Sequence, residues 1–249
     1  MNMRAAVRLM AIVFGLALGH TAFAQEEQVT RMRTALASPD RPAANKARDE
    51  ARKPIESVQF FGIKTGDTVV DMVAAGGWFT EVLSAAVGPR GHVYSQNPPI
   101  IPENDAEKAL LKRLGNAQSL RVPLAKAGIA GKVDAVVVAL NLHDIYNGYA
   151  DQPAGEPAAV EFLKAIHGVL KPGGILAVID HAGVTGQDNA KLHRMLPQQA
   201  RDAINKAGFV IEAESTLLAN PADDHTKAVF DPATRGHTDQ FMFRARKAR

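Results

Sequence analysis

A chain of 249 residues, 46% of them hydrophobic, is long enough to bury a sizeable core in a single domain. Its formal charge of +3 comes from 29 basic and 26 acidic side chains. These show no stripe of excess Lys and Arg of the kind a nucleic-acid footprint needs. The absence of cysteine excludes disulfides, thiolate metal sites and a cysteine nucleophile.

Residues 1–24 read as a secretory leader. Arg4 and Arg8 give a basic start, residues 9–18 an apolar run, and Ala22-Phe23-Ala24 a small-x-small cleavage pattern before Gln25. The apolar run is shorter than the roughly 20 residues a spanning helix needs. After cleavage no membrane insertion is expected, and the expected location is periplasmic or secreted. Without the two leader arginines the chain holds 27 basic and 26 acidic residues, close to neutrality.

Residues 28–52 are charged and helical in pattern, with a break at Ser38-Pro39-Asp40-Arg41-Pro42. Residues 55–61 have the apolar spacing of a short amphipathic helix that Gly62 can end. Residues 25–62 therefore read as an N-terminal helical arm and 63–249 as the main domain. A strand is expected over 68–72, and a helix over 78–87 with Phe79, Val82, Leu83 and Ala86 on one face. A strand over 92–95, a helix over 106–114, a strand over 119–122 and a buried strand over 133–140 follow. Pro157 opens a helix that runs to 170, a Pro-Gly-Gly turn precedes a strand over 175–180, and a helix from about 197 ends at Ala207-Gly208. Strands over 209–217 and 238–244 finish the chain. Strands separated by helix-length segments imply parallel βαβ units covered on both faces, while the last two, with no helix between them, should pair antiparallel at one edge.

Two stretches carry most of the information. Val69-Val70-Asp71-Met72-Val73-Ala74-Ala75-Gly76-Gly77-Trp78 is a buried strand ending in an acid, then a small-residue turn and a helix start. Leu170-Lys171-Pro172-Gly173-Gly174-Ile175 leads from a helix end into another buried strand. In this order they resemble the first and fifth strands of a class I S-adenosylmethionine-dependent methyltransferase. Lys206-Ala207-Gly208-Phe209 is also frequent in that class. The Arg48–Pro54 stretch, Phe60-Phe61-Gly62-Ile63-Lys64, Leu142-His143-Asp144 and Ile179-Asp180-His181 look like a branch of secreted methyltransferases. The resemblance implies an α/β, Rossmann-like, doubly wound, mostly parallel seven-stranded sheet with an antiparallel edge strand. It also implies S-adenosylmethionine as cofactor and a small-molecule methyl acceptor.

Ligands of such sheets bind beyond the carboxyl ends of the strands. The cofactor residues implied are Asp71, Ala75, Gly76, Gly77, Asn97 and Asn141. The family's turn carries glycines at the second, fourth and sixth positions after the acid, where this chain has Val73, Ala75 and Gly77. A β-branched Val73 disfavours positive φ, which argues either against ordinary cofactor binding or for a loop of different shape. The acid that usually ends the second strand is replaced by Gln96 and Asn97. His143 with Asp144, and Asp180 with His181, follow the fourth and fifth strands, which should be neighbours. A carboxylate-oriented imidazole there can act as general base. No metal is expected, because adjacent His and Asp on an extended segment point apart. Residues 219–237 are long for a link between strands and read as a lid. Trp78 reads either as a ligand-stacking group or as core. A second reading of the chain is a non-catalytic methyltransferase fold that binds a ligand or partner in the cell envelope.

Overall fold

The computed structural model describes residues 23–148 and 152–248. Of the leader reading, residues 1–22 lie outside the described residues. Helix α1 spans residues 23–37, and α2 (Ala43–Lys46), α3 (Asp49–Arg52) and α4 (Pro54–Phe61) complete the expected helical arm. The alternating region follows as β1 (Thr68–Met72), α5 (Trp78–Val87), β2 (His92–Gln96), α6 (Asp105–Leu114), β3 (Ala117–Leu120) and β4 (Val133–Ala139). Then come α7 (Leu142–Asn147), α8 (Gly155–Val169), β5 (Leu170–His181), α9 (Pro197–Lys206), β6 (Phe209–Ser215) and β7 (Gln240–Lys247).

The seven strands form one sheet in the order β3-β2-β1-β4-β5-β7-β6. Strands β1 to β5 pair in parallel, and β7 runs antiparallel to both β5 and β6. The chain therefore ends with the antiparallel pair expected at one edge. Central strands such as β4 are near-continuous Val and Ala, as burial on both faces requires. One face packs Leu163, Ile166, Ala203 and Ile204 of α8 and α9 against Val136, Val138 and Leu176. The other packs Val82, Leu83 and Ala86 of α5 with Met32, Val58 and Phe61 of the arm against Val69, Val93 and Val137. The arm is thus part of the core.

Several elements differ from the sequence reading, β5 and β3 among them. Strand β5 begins at Leu170, which pairs with Val133, and pairing resumes only at Ala135 with Ile175. The Lys-Pro-Gly-Gly residues are an interruption inside the strand, because proline cannot donate to the ladder and Gly173 turns to φ 76°. Strand β3 starts two residues early, at Ala117 paired with Val93, a register set by the neighbouring β2.

Candidate active site

Register places Asp71 of β1 between Ser95 of β2 and Val137 of β4, so these strands end at one rim with β5. Beyond that rim lies a cleft of about 700 Å³. Its floor is the loop after β1 and the turn after β4, and its walls are the arm and the segment before β7. Of the expected cofactor residues, Asp71, Ala75, Gly76 and Asn141 line it, whereas Gly77 and Asn97 do not.

The loop after β1 corrects one expectation. Val73 (φ 50°), Ala75 (φ 48°) and Gly77 (φ 74°) are all left-handed. These are the three positions at which the family's turn carries glycine. The backbone thus keeps the alternation that glycines would adopt freely, against the strain a β-branched residue brings. What holds it there is hydrogen bonding from β2. The Gln96 side chain accepts from Val73 N at 3.3 Å, and Asn97 Oδ1 accepts from Ala75 N at 2.9 Å. Ala74 N also donates to Gln96 O at 2.9 Å, and Gly77 N to Ala74 O at 2.8 Å. Asn97 is fully buried. It is therefore a clamp on the loop, not a group presented to a ligand, and this corrects its expected cofactor contact. Gly77 sits at φ 74°, where a side chain is strained whatever the space; Gly76 faces open space.

Asp71 is buried and accepts a 2.6 Å hydrogen bond from Thr80 Oγ1. Burial pushes its carboxyl up to about 7, while Thr80 and the charge of Arg52 pull the other way. Asn141 donates to Ala139 O at 2.6 Å and so braces the turn after β4.

The His–Asp residues converge as expected, but on different geometry. His143 and Asp144 lie on the short helix α7, not on an extended segment, so both side chains reach the cleft. Asp180, at the end of β5 and fully buried, accepts from His143 N at 2.8 Å and from His181 N at 2.7 Å. Its Oδ1 is 2.6 Å from His143 Nδ1. An acceptor-only carboxylate fixes the proton on Nδ1 and leaves His143 Nε2 turned away from it. Nε2 is buried without a hydrogen-bond partner, although Asp144 Oδ1 stands 3.2 Å away, off the hydrogen-bond axis. The same Oδ1 lies 3.1 Å from His193 Nδ1. His193 arrives from the loop after β5 with a left-handed backbone, φ 53°. Nothing in the sequence marked it, because no spacing rule ties it to His143.

Burial opposes a charge on His143, yet Asp180 and Asp144 more than compensate and raise it to about 10. A ring held towards its protonated form between two carboxylates is a poor base, against the role expected for it. His181 goes the other way. Burial, aided by His143, Arg194 and Arg52 against the pull of Asp180, lowers it to about 4, so it is neutral. Its Nδ1 lies 2.7 Å from Thr238 Oγ1. Asp144 is also buried, but the neighbouring imidazoles of His143 and His193 hold it below the ordinary carboxylate range.

The arm and the segment before β7 flank the cleft. Trp78 is nearly buried, and its Nε1 donates to Asn45 O at 3.1 Å and Asp49 Oδ1 at 3.0 Å, tying the arm to α5. Arg52 lies 4.8 Å over its ring. Arg41 bridges Asp49 and buried Glu81. On the other side, buried Arg194 forms a bidentate pair with Asp223 at 2.8 and 3.1 Å and fixes the segment before β7. That segment contributes Phe230, Arg235, His237 and Thr238 to the cleft, as a lid would. Arg48, Arg52 and Arg235 all line the cleft, and among the described residues none of them makes an ion pair. Burial lowers Arg52 to about 10, and Arg235 adds its repulsion to the burial that lowers Arg48.

The sheet order, the single antiparallel strand and a cleft above the ends of β1, β4 and β5 now allow comparison with known proteins. No family model matches the chain, and no curated protein does. Solved structures do. A SAM-dependent methyltransferase from Aquifex aeolicus is 20% identical with a TM-score of 0.57, over 88% of this chain and 97% of that one. The chain has the class I methyltransferase fold. The 1,6-didemethyltoxoflavin-N1-methyltransferase of Burkholderia thailandensis is similar over 93% of this chain and 90% of its own, with 14% identity and a TM-score of 0.54. The [4+2]-cyclase SpnF matches over 91% and 95%, with 16% identity and a TM-score of 0.60. One fold thus serves more than one chemistry, and the site must argue the reaction.

Proposed function

We propose that the protein transfers a methyl group from S-adenosylmethionine to a small anionic acceptor. The observation that carries this reading is the loop after β1, which keeps left-handed backbone at positions 73, 75 and 77 at the expense of strain. The residues fit the cofactor in two further respects. Gly76 faces open space where a side chain would intrude, and a cleft of about 700 Å³ lies in the range of small-molecule sites. Asp71, Ala75, Gly76 and Asn141 would hold the cofactor. When bound, it supplies an electrophilic methyl group.

The remaining work belongs to the chain's own residues. Arg48, Arg52 and Arg235 have charge to spare and suit a carboxylate- or phosphate-bearing acceptor. Neutral His181, oriented by Thr238, is placed to accept a hydrogen bond from the acceptor's nucleophile, whose proton leaves to solvent with the product. Arm and lid exclude water and fix the approach of the two reactants, from which most of the acceleration would come. The leader reading would put this chemistry in the periplasm; N-terminal sequencing of the protein recovered from that compartment checks it.

Calorimetric titration with S-adenosylmethionine and S-adenosylhomocysteine tests the function. Micromolar binding is expected for the wild type. Gly76→Val should abolish it with little change in Tm, because the added side chain meets only the open cleft. No binding of either compound at millimolar concentration would overturn the reading.

A further inference from the structure

We propose that the edge of the cleft carries a divalent transition-metal site made by His143 Nε2, the Asp144 carboxylate and His193 Nδ1. The three donor atoms lie within 4.8 Å of one another. Asp144 Oδ1 sits between the two imidazoles, 3.2 Å from Nε2 of His143 and 3.1 Å from Nδ1 of His193. Donors about 2.0–2.2 Å from a shared ion are separated by about 3–3.5 Å, so small side-chain rotations complete the set.

His143 is prepared for this role. A ligating histidine characteristically gives its other ring N–H to a carboxylate, which fixes the tautomer and strengthens the ligand. Asp180 does this at 2.6 Å, and it is itself held by two backbone N–H groups. The nitrogen left over, Nε2, is buried and has no hydrogen-bond partner. A structural histidine buried for packing would have both nitrogens satisfied.

His193 is held in place as well. Its left-handed backbone is fixed by the next residue, Arg194, whose carbonyl accepts from Asn147 Nδ2 of α7 at 2.9 Å and whose guanidinium is locked on Asp223. One hydrogen bond thus ties the helix carrying His143 and Asp144 to the loop carrying His193. Facing a carboxylate acceptor, His193 Nδ1 carries its proton there, and a bound ion would take that proton's place.

Two imidazoles and one carboxylate, with no thiolate available, select Zn²⁺, Mn²⁺, Fe²⁺ or Co²⁺ over Mg²⁺ and Ca²⁺. Three protein ligands leave coordination positions for a ligand, and His143 and Asp144 open on the cleft, so the site has the open character of a catalytic one. The site stands on donor geometry alone and does not require the methyl-transfer reading.

The full chain, stripped with chelator, is titrated with Zn²⁺ and with Mn²⁺ by calorimetry while Tm is recorded. One equivalent of Zn²⁺ should bind at micromolar or lower concentration and raise Tm. His193→Ala and Asp144→Asn should each weaken binding at least tenfold, whereas His167→Ala, on α8 away from the cleft, should not. As a second measurement, the Co²⁺ adduct should show visible absorption bands of N/O ligation that His193→Ala removes. Absence of saturable binding, or binding and bands that survive both ligand substitutions, would overturn the proposal. S-adenosylhomocysteine binding is read separately, so failure of the metal site and failure of the cofactor site are distinguishable.

Discussion

Val73 and Asp71 show how single residues lining the cleft can sit against their own preferences. A valine at φ 50° costs on the order of 1–3 kcal/mol, and glycine would return part of that as lost backbone order, about 0.5–1 kcal/mol. Val73→Gly should therefore raise stability by about 1 kcal/mol, measurable in urea denaturation, without disturbing the loop. Asp71 titrates at about 7 in the fold against an ordinary value of 3.8. A raised carboxyl contributes its full stability below the lower value and loses it as pH rises through the higher, by about 1.4 kcal/mol per pH unit between them. Asp71→Asn keeps an acceptor for Thr80 and removes the slope. The Tm of the variant relative to wild type should climb from pH 4 to pH 7 and then level off. A Tm difference that does not vary with pH would show that Asp71 is not the group responsible.

Among the elements, the segment 219–239 depends most on one contact. Asp223 receives both Arg194 nitrogens and also the N–H groups of Asp239 and His225. Both charged groups are buried, and removing one partner of such a pair leaves the other uncompensated, at about 3–5 kcal/mol. Arg194→Ala should cost stability of that order. Hydrogen exchange should accelerate over 219–239 and around His193 before it does in the sheet. Equal acceleration in β4 would mean that Arg194 supports the core and not the lid. Helix α7 matters in another way. Six residues of helix in place of an extended strand exit turn His143 and Asp144 toward one cleft, and this makes their pairing with His193 possible.

At the scale of the molecule, the sequence by itself determined the alternation of strands and helices, the antiparallel finish and the acid–small-residue turn after β1. These follow from local pattern: β1 and α5 have the expected bounds because hydrophobic period and glycine placement act over a few residues. The convergence of His143 with Asp180 was also legible, since both residues follow strands expected to be neighbours. Tertiary structure alone decided the rest. Whether Val73 could be left-handed depended on Gln96 and Asn97, more than 20 residues away, which hold the loop and so withdraw Asn97 from the cleft. His193 reached Asp144 across 49 residues through Asn147 and Arg194. The protonation of His143 and the neutrality of His181 turned on which ring faced Asp180 and which was merely buried beside it. Each of these is an interaction energy between distant residues. Local sequence pattern carries no record of such energies, because they exist only once the chain has closed.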